Sequence, residues 1–217
     1  MGFFEIIIGN FEGIVQYNGF YEEDINSICA LMVDESLGTP VERLAVVNDV
    51  LLYGGECVDQ RYEAWRQVLV DTDWEGIGDG WRPWIWQTCT EFGWYQTTNQ
   101  NSGVYGHSLP LEYMERWCQD AFGAEFTHTM LQGLIDQSNE MYGGIEPQLD
   151  NVVFVHGSLD PWHAMGVLSD LHEGAQSIYI PGTSHCADMY NDSPDDPEEL
   201  TAARKQIGEL IKEWLAL

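Results

Sequence analysis

The stretch VVFVHGSLDPWHAMG (Val152–Gly166), followed by IPGTSHCADM (Ile180–Met189), decides how this chain is read. Asn151 to Val155 is a short, β-branched, apolar run bounded by polar residues, which predicts a buried strand. Asp160 follows it after a Gly157-Ser158 turn. Gln176 to Ile180 predicts a second strand, and His185 follows that one after Gly182. A short helix is expected over 163–172. Asp196-Pro197-Glu198-Glu199 reads as a cap, a first-turn proline and a capping-box glutamate. The helix it opens carries Leu200, Ala203, Ile207, Leu210, Ile211 and Trp214 along one stripe. Strand, helix, strand, helix is the ending of an α/β sheet with parallel strands.

In such sheets ligands gather at the carboxyl ends of the strands, where Asp160 and His185 both fall. An acid there accepts from the histidine Nδ1–H, fixes the tautomer and leaves Nε2 as a general base. Acid then histidine after successive strands is the α/β-hydrolase order, in which the serine precedes both. Taken singly, Asp-Pro opens many ordinary turns, and a lone histidine is more often a satisfied side chain than a catalyst. Their joint placement carries the catalytic reading. His185, Cys186 and Asp188 offer metal-ligating atoms, but nothing supplies a second histidine at helical spacing, so no metal site is expected.

Upstream of residue 147 the pattern is mostly helical. YEEDINSICALMV places Ile25, Ile28, Cys29 and Met32 on one face. TPVERLAVVNDVLL opens with Thr39 as N-cap, Pro40 at the first helical position and Glu42 closing a capping box. DQRYEAWRQVL repeats Tyr62, Trp65, Val68 and Leu69, and PLEYMERWCQDAFG repeats Leu111, Met114, Trp117 and Cys118. FTHTMLQGLIDQSNEMYGG is a further helix, stopped by Gly143-Gly144. The opening FEIIIGNFEGIVQYN fits strand or helix equally. A boundary falls in GGIEPQLDN, giving domains of 1–147 and 148–217.

Eight Lys and Arg stand against 36 Asp and Glu, a formal charge of −28. Such a surface repels phosphate and excludes nucleic acid as a partner. With 44% hydrophobic residues a sizeable core is expected rather than global disorder. No run reaches membrane-spanning length. Cys29, Cys57, Cys89, Cys118 and Cys186 form no C-x-x-C pair and no zinc-like spacing. Scattered cysteines in an acidic chain point to an oxidising compartment, with at least one disulfide among the first four. MGFFEIIIGNFEG lacks a basic n-region and is broken by Glu5 and Asn10, so it does not read as a signal peptide.

HGSLDPWHAMG and GTSHCADMY resemble the acid and histidine signatures of the prolylcarboxypeptidase family of serine peptidases. WQTCTEFGWYQTT (Trp86–Thr98) and NFEGIVQYN (Asn10–Asn18) are similar to its thymus-specific branch, as are MYGG and SPDDPEELTAAR. The resemblance implies the C-terminal part of an α/β-hydrolase fold with a mostly helical inserted cap domain. It makes Asp160 and His185 the catalytic acid and base. It makes Trp162 an aromatic lining the pocket for a proline ring, and puts Glu91 near the substrate cleft, where it would hold a peptide terminus. Family members cleave peptides, several of them after proline, in lysosomes, endosomes, vacuoles or outside cells, with no cofactor.

The departure from the family is the nucleophile. Its serine sits in a Gly-Gly-Ser-Tyr-type elbow well before the cap, and this sequence contains no G-x-S-x-G. Ser108, Ser158 and Ser184 lack an elbow. The expectation is therefore a C-terminal portion of a serine-type exopeptidase, inactive alone, whose serine comes from a missing N-terminal half. The other expected partner is a peptide substrate; a homodimer is compatible with the sequence, a membrane partner is not expected. The alternative is a non-catalytic peptide-binding or pseudoenzyme module.

Overall fold

The computed structural model describes residues 2–20, 22–53, 59–78, 80–99 and 103–216. They form two compact units, Met1–Gly9 with Gly55–Gly144, and Asn10–Gly54 with Ile145–Leu217. The opening segment is a helix, α1 (Gly2–Gln16), which runs from the first unit into the second. Its Ile6-Ile7-Ile8 run favours a strand by intrinsic preference. The helix prevails because it buries Ile8 and, further along, Ile14.

The second unit continues with α2 (Ile25–Val33) and α3 (Pro40–Asn48). Asp24 caps α2 by accepting from the Ser27 N–H, and the expected Thr39/Glu42 capping box opens α3. Ile14, Ile28 and Val47 form a small core, with Leu31 and Met32 packed against it. Cys29, expected on the buried face of α2, is exposed instead. Leu31 takes its place, because the face turned inward runs through Ile28, Leu31 and Met32.

The first unit contains α4 (Tyr62–Val70), α5 (Trp81–Gln87), α6 (Leu111–Phe122) and α7 (His128–Tyr142). Its core joins Leu69, Ile85, Leu109, Met114, Trp117 and Leu131. Arg82 closes one side: its guanidinium donates to the carbonyls of Leu69 and Ala121 and lies over the Phe122 ring. Gly143 ends α7 in the left-handed conformation, as its sequence position predicts.

One disulfide, Cys89–Cys118, ties the segment after α5 to α6. Cys29 and Cys186 carry free thiols, and Cys57 lies outside the described residues. Both bridged cysteines are fully buried, so reduction requires prior opening of the unit. The bridge closes a span of 29 residues, which corresponds to roughly 3–4 kcal/mol of restrained unfolded-chain entropy. Cys118→Ser is therefore expected to lower the thermal midpoint of protein made in a secretory host by several degrees. An unchanged midpoint, with all five cysteines of the unaltered chain already titrating in denaturant before reduction, would show that the bridge does not form.

The strands follow the first unit's last helix. β1 (Val152–Gly157) and β2 (Ala175–Ile180) pair in parallel, Val152 opposite Ala175 through Gly157 opposite Ile180. On one face Val153, Val155, Ile178 and Ile180 pack on Leu200, Ala203 and Ile207 of α8 (Glu198–Ala216). Each fully buried aliphatic side chain there contributes about 1.5–3 kcal/mol. β1 itself is half-buried along most of its length rather than enclosed. Among the described residues only β2 flanks it.

The helix expected over 163–172 does not form. A 3-10 turn spans Pro161–Met165, and Gly166 is extended. Gly166 lies flat against the His156 ring, where a Cβ would come within 2.0 Å of a ring atom. Beyond it, Ser177 of β2 donates its hydroxyl to the Val167 carbonyl and its N–H to Asp170 Oδ1. Those bonds draw the segment along the strand instead of into a helix. Asp196 also departs from its expected capping role. Its carboxylate accepts from the Ser193 N–H and pairs with Arg204, while the Pro197 carbonyl receives the Leu200 and Thr201 N–H groups of α8.

Candidate active site

The two strand ends are stitched into one platform within the second unit. Leu159 N–H donates to the Thr183 carbonyl at 2.9 Å, and Ser158 N–H to the Ile180 carbonyl at 3.0 Å. The Ser158 hydroxyl accepts from Gly182 N–H at 2.7 Å. Gly157 is required here: a Cβ would lie 2.5 Å from the Thr183 oxygen and 2.7 Å from that of Ser184. This close approach brings the acid loop against the histidine loop.

Asp160 is 6% exposed and each of its oxygens has one task. Oδ1 accepts from the Trp162 backbone N–H at 3.0 Å, capping the 3-10 turn. Oδ2 accepts from His185 Nδ1–H at 2.8 Å. With a carboxylate as partner, the imidazole's proton is assigned to Nδ1 and Nε2 is left as the basic nitrogen. The Asp160 carbonyl accepts from His163 Nδ1–H at 2.6 Å, which further fixes the loop.

His185 is partly exposed, with a side-chain exposure of 28%. Its backbone N–H donates to the Gln16 carbonyl at 2.8 Å. The Tyr17 ring meets its imidazole edge-on at 5.7 Å between centroids, and the Trp162 indole lies at 6.1 Å. The following Cys186 adopts a left-handed φ of 56°. Burial pushes its thiol pKa up, and the Asp188 and Asp160 carboxylates add to the rise. Burial likewise holds the neighbouring strand residue His156 below the usual imidazole range.

Arg204 of α8 secures the loop beyond the histidine. Its guanidinium donates to the carbonyls of Ala187 at 2.7 Å and Asp188 at 3.1 Å, and pairs with Asp192 and Asp196. It is one of only eight basic residues in the chain. That scarcity is the signal by which the sequence could have marked it. Gln16 and Tyr17 were equally unmarked as site residues, although they lie in the NFEGIVQYN motif.

The sequence-derived candidates fall in both units. Asp160, His185 and Trp162 come together, whereas Glu91 is exposed in a π-helical segment, Thr88–Phe92, of the first unit. Ser108 donates its hydroxyl to the Tyr105 carbonyl in that same unit. His185, Cys186 and Asp188 do not converge: among the described residues no group of three or more His, Cys, Asp or Glu could hold a metal ion. No helix among them is long and apolar enough to cross a membrane.

Known proteins are similar to this chain in sequence. The family model for serine carboxypeptidase S28 matches residues 1–207. The thymus-specific serine protease of Mus musculus is 31% identical over 99% of this chain and 43% of its own length. That of Homo sapiens is 30% identical over 100% of this chain and 43% of its own. The lysosomal Pro-X carboxypeptidase of Pongo abelii is 27% identical over 61% of this chain and 26% of its own. The chain spans less than half the length of these curated relatives.

Proposed function

The chain belongs to the serine carboxypeptidase S28 family, and from that premise we propose that it supplies the acid and the base of a serine-type peptidase. The observation that carries this reading is the 2.8 Å bond between His185 Nδ1 and Asp160 Oδ2 at the ends of two parallel strands. The family is of the α/β-hydrolase type, and a parallel pair backed by α8 fits its C-terminal part. Residues 1–147 would be the inserted helical cap and 148–217 the last strands and helix of the core.

In this mechanism His185 Nε2 removes the proton from a serine hydroxyl as its oxygen attacks the scissile carbonyl. Asp160 holds the imidazolium that results, and the same Nε2–H then protonates the departing amine. Water attacks the acyl-enzyme with His185 again as base, releasing the acid product and the free serine. The serine and the oxyanion donors come from an elbow outside these 217 residues. Trp162 faces a proline ring of the peptide, and Glu91 engages a peptide terminus. The name of the lysosomal Pro-X carboxypeptidase supports a lysosomal setting, with an extracellular one as the other expected compartment.

A fluorophosphonate probe tests this assignment. The longer product carrying this chain and an in-frame elbow is expected to be labelled and to cleave prolyl peptides. Its His185→Ala variant, and the 217-residue chain alone, should remain unlabelled. Labelling of the short chain, or undiminished cleavage by the His185 variant, would refute the assignment. A folded longer product that binds prolyl peptides without cleaving them would favour the non-catalytic reading.

A further inference from the structure

Gln16 stands at the last turn of α1, where carbonyls have no partner within the helix. Its backbone carbonyl takes the His185 N–H at 2.8 Å. Its side-chain Oε1 takes the indole Nε1–H of Trp162 at 2.9 Å. The indole nitrogen only donates, so the amide must present its oxygen and not its NH2. Trp162 N–H in turn binds Asp160 Oδ1, and Asp160 Oδ2 binds His185. These four bonds make a closed circuit, Gln16 to Trp162 to Asp160 to His185 and back to Gln16.

Within that circuit the two bonds of Gln16 divide the work. The backbone carbonyl steadies the histidine loop whatever side chain stands at position 16. The side-chain oxygen reaches the indole, whose own backbone is already held by Asp160. Without it, the ring keeps its attachment but loses the polar anchor at its far edge, and rotation about its side-chain torsions is less restrained. We propose that Gln16 is a positioning residue that sets the plane of the Trp162 ring and thereby the preference of the site for proline. The proposal rests on the pocket role assigned to Trp162 above.

The test uses the active, longer enzyme with matched prolyl and alanyl peptides. Gln16→Leu removes the acceptor while keeping bulk and the backbone carbonyl. It is expected to lower kcat/KM for the prolyl peptide about 3- to 10-fold, mainly through KM, the size of one net hydrogen bond. The alanyl peptide should change less than about twofold, and the pH profile of kcat/KM should not move. Gln16→Glu, which still presents an acceptor, should recover most of the preference. In a Trp162→Phe background, which has no Nε1–H, Gln16→Leu should have no further effect, because contacting residues are not additive.

The same variants give a reading independent of turnover. The Trp162 indole N–H resonance, assigned by its loss in Trp162→Phe, should exchange faster with solvent in Gln16→Leu but not in Gln16→Glu. Should Gln16→Leu not fold, Gln16→Met makes the same comparison. If Trp162→Phe weakens proline preference and neither apolar variant at position 16 does, the role of Gln16 is overturned while the pocket stands. If Trp162→Ala itself leaves the preference intact, the pocket assignment fails first. An equal loss on both peptides with a shifted pH profile would place the effect of Gln16 on the base loop, against the proposal.

Discussion

Asp160→Asn in the active enzyme lowers turnover of a prolyl peptide by about three to four orders of magnitude, with the fold retained. The reason lies in how the two carboxylate oxygens are used. One accepts from Trp162 N–H and the other from His185 Nδ1–H. Asparagine has only one oxygen for these two donors. If it keeps the Trp162 bond, its NH2 lies where Oδ2 was and donates toward Nδ1. The imidazole proton is then driven to Nε2, and the nitrogen that should accept the serine proton is already protonated. If the amide turns over, its NH2 opposes the Trp162 N–H and the turn that places residue 160 is disturbed. Either arrangement also removes the negative charge that stabilises the imidazolium. The measurement is kcat by steady-state kinetics, with far-ultraviolet circular dichroism as the control for folding. Turnover within tenfold of wild type would remove Asp160 from the mechanism.

The placement of Asp160 and His185 at neighbouring strand ends was legible because each sits at the end of a short local pattern, a β-branched run closed by a glycine turn. The Thr39/Glu42 box was legible for the same reason, since all its contacts fall within one helical turn. What sequence reading missed depends on distant partners. Gln16 meets Trp162 across 146 positions, and nothing near either residue announces the other. The stretch 163–172 has helical character locally, yet Gly166 is pressed on the His156 ring and Ser177 holds the segment to β2. Asp196 has the sequence context of a cap, yet the Arg204 guanidinium claims its carboxylate. In each case a tertiary partner outweighs a local preference worth less than about 1 kcal/mol per residue. The opening Ile6-Ile7-Ile8 run shows the same principle, since burial of Ile8 and Ile14 settles a choice that propensity leaves open.

Trp162→Ala is expected to lower kcat/KM for a prolyl peptide by roughly 10- to 200-fold, the range for an apolar contact in a specificity pocket. The indole is half-buried, tilted 39° to the His185 ring, with centroids 6.1 Å apart. A side chain so placed stands beside the imidazole that the proposed mechanism uses as base. A proline ring is apolar, has flat sides and, within a peptide, no N–H of its own, so an aromatic face is a suitable partner for it. Alanine at position 162 leaves the backbone bond to Asp160 Oδ1 available, because that bond uses the residue's N–H and not its side chain. The acid–base pair should therefore persist, and the loss should depend on the substrate. An alanyl peptide has less ring surface to lose and should fall much less than the prolyl one. Equal losses on both would mean that the indole merely braces the Asp160 loop, through its bond to Gln16. Wild-type rates with proline preference intact would place Trp162 outside the pocket, and the selectivity of the site would then have to come from side chains beyond the platform formed by β1, β2 and the end of α1.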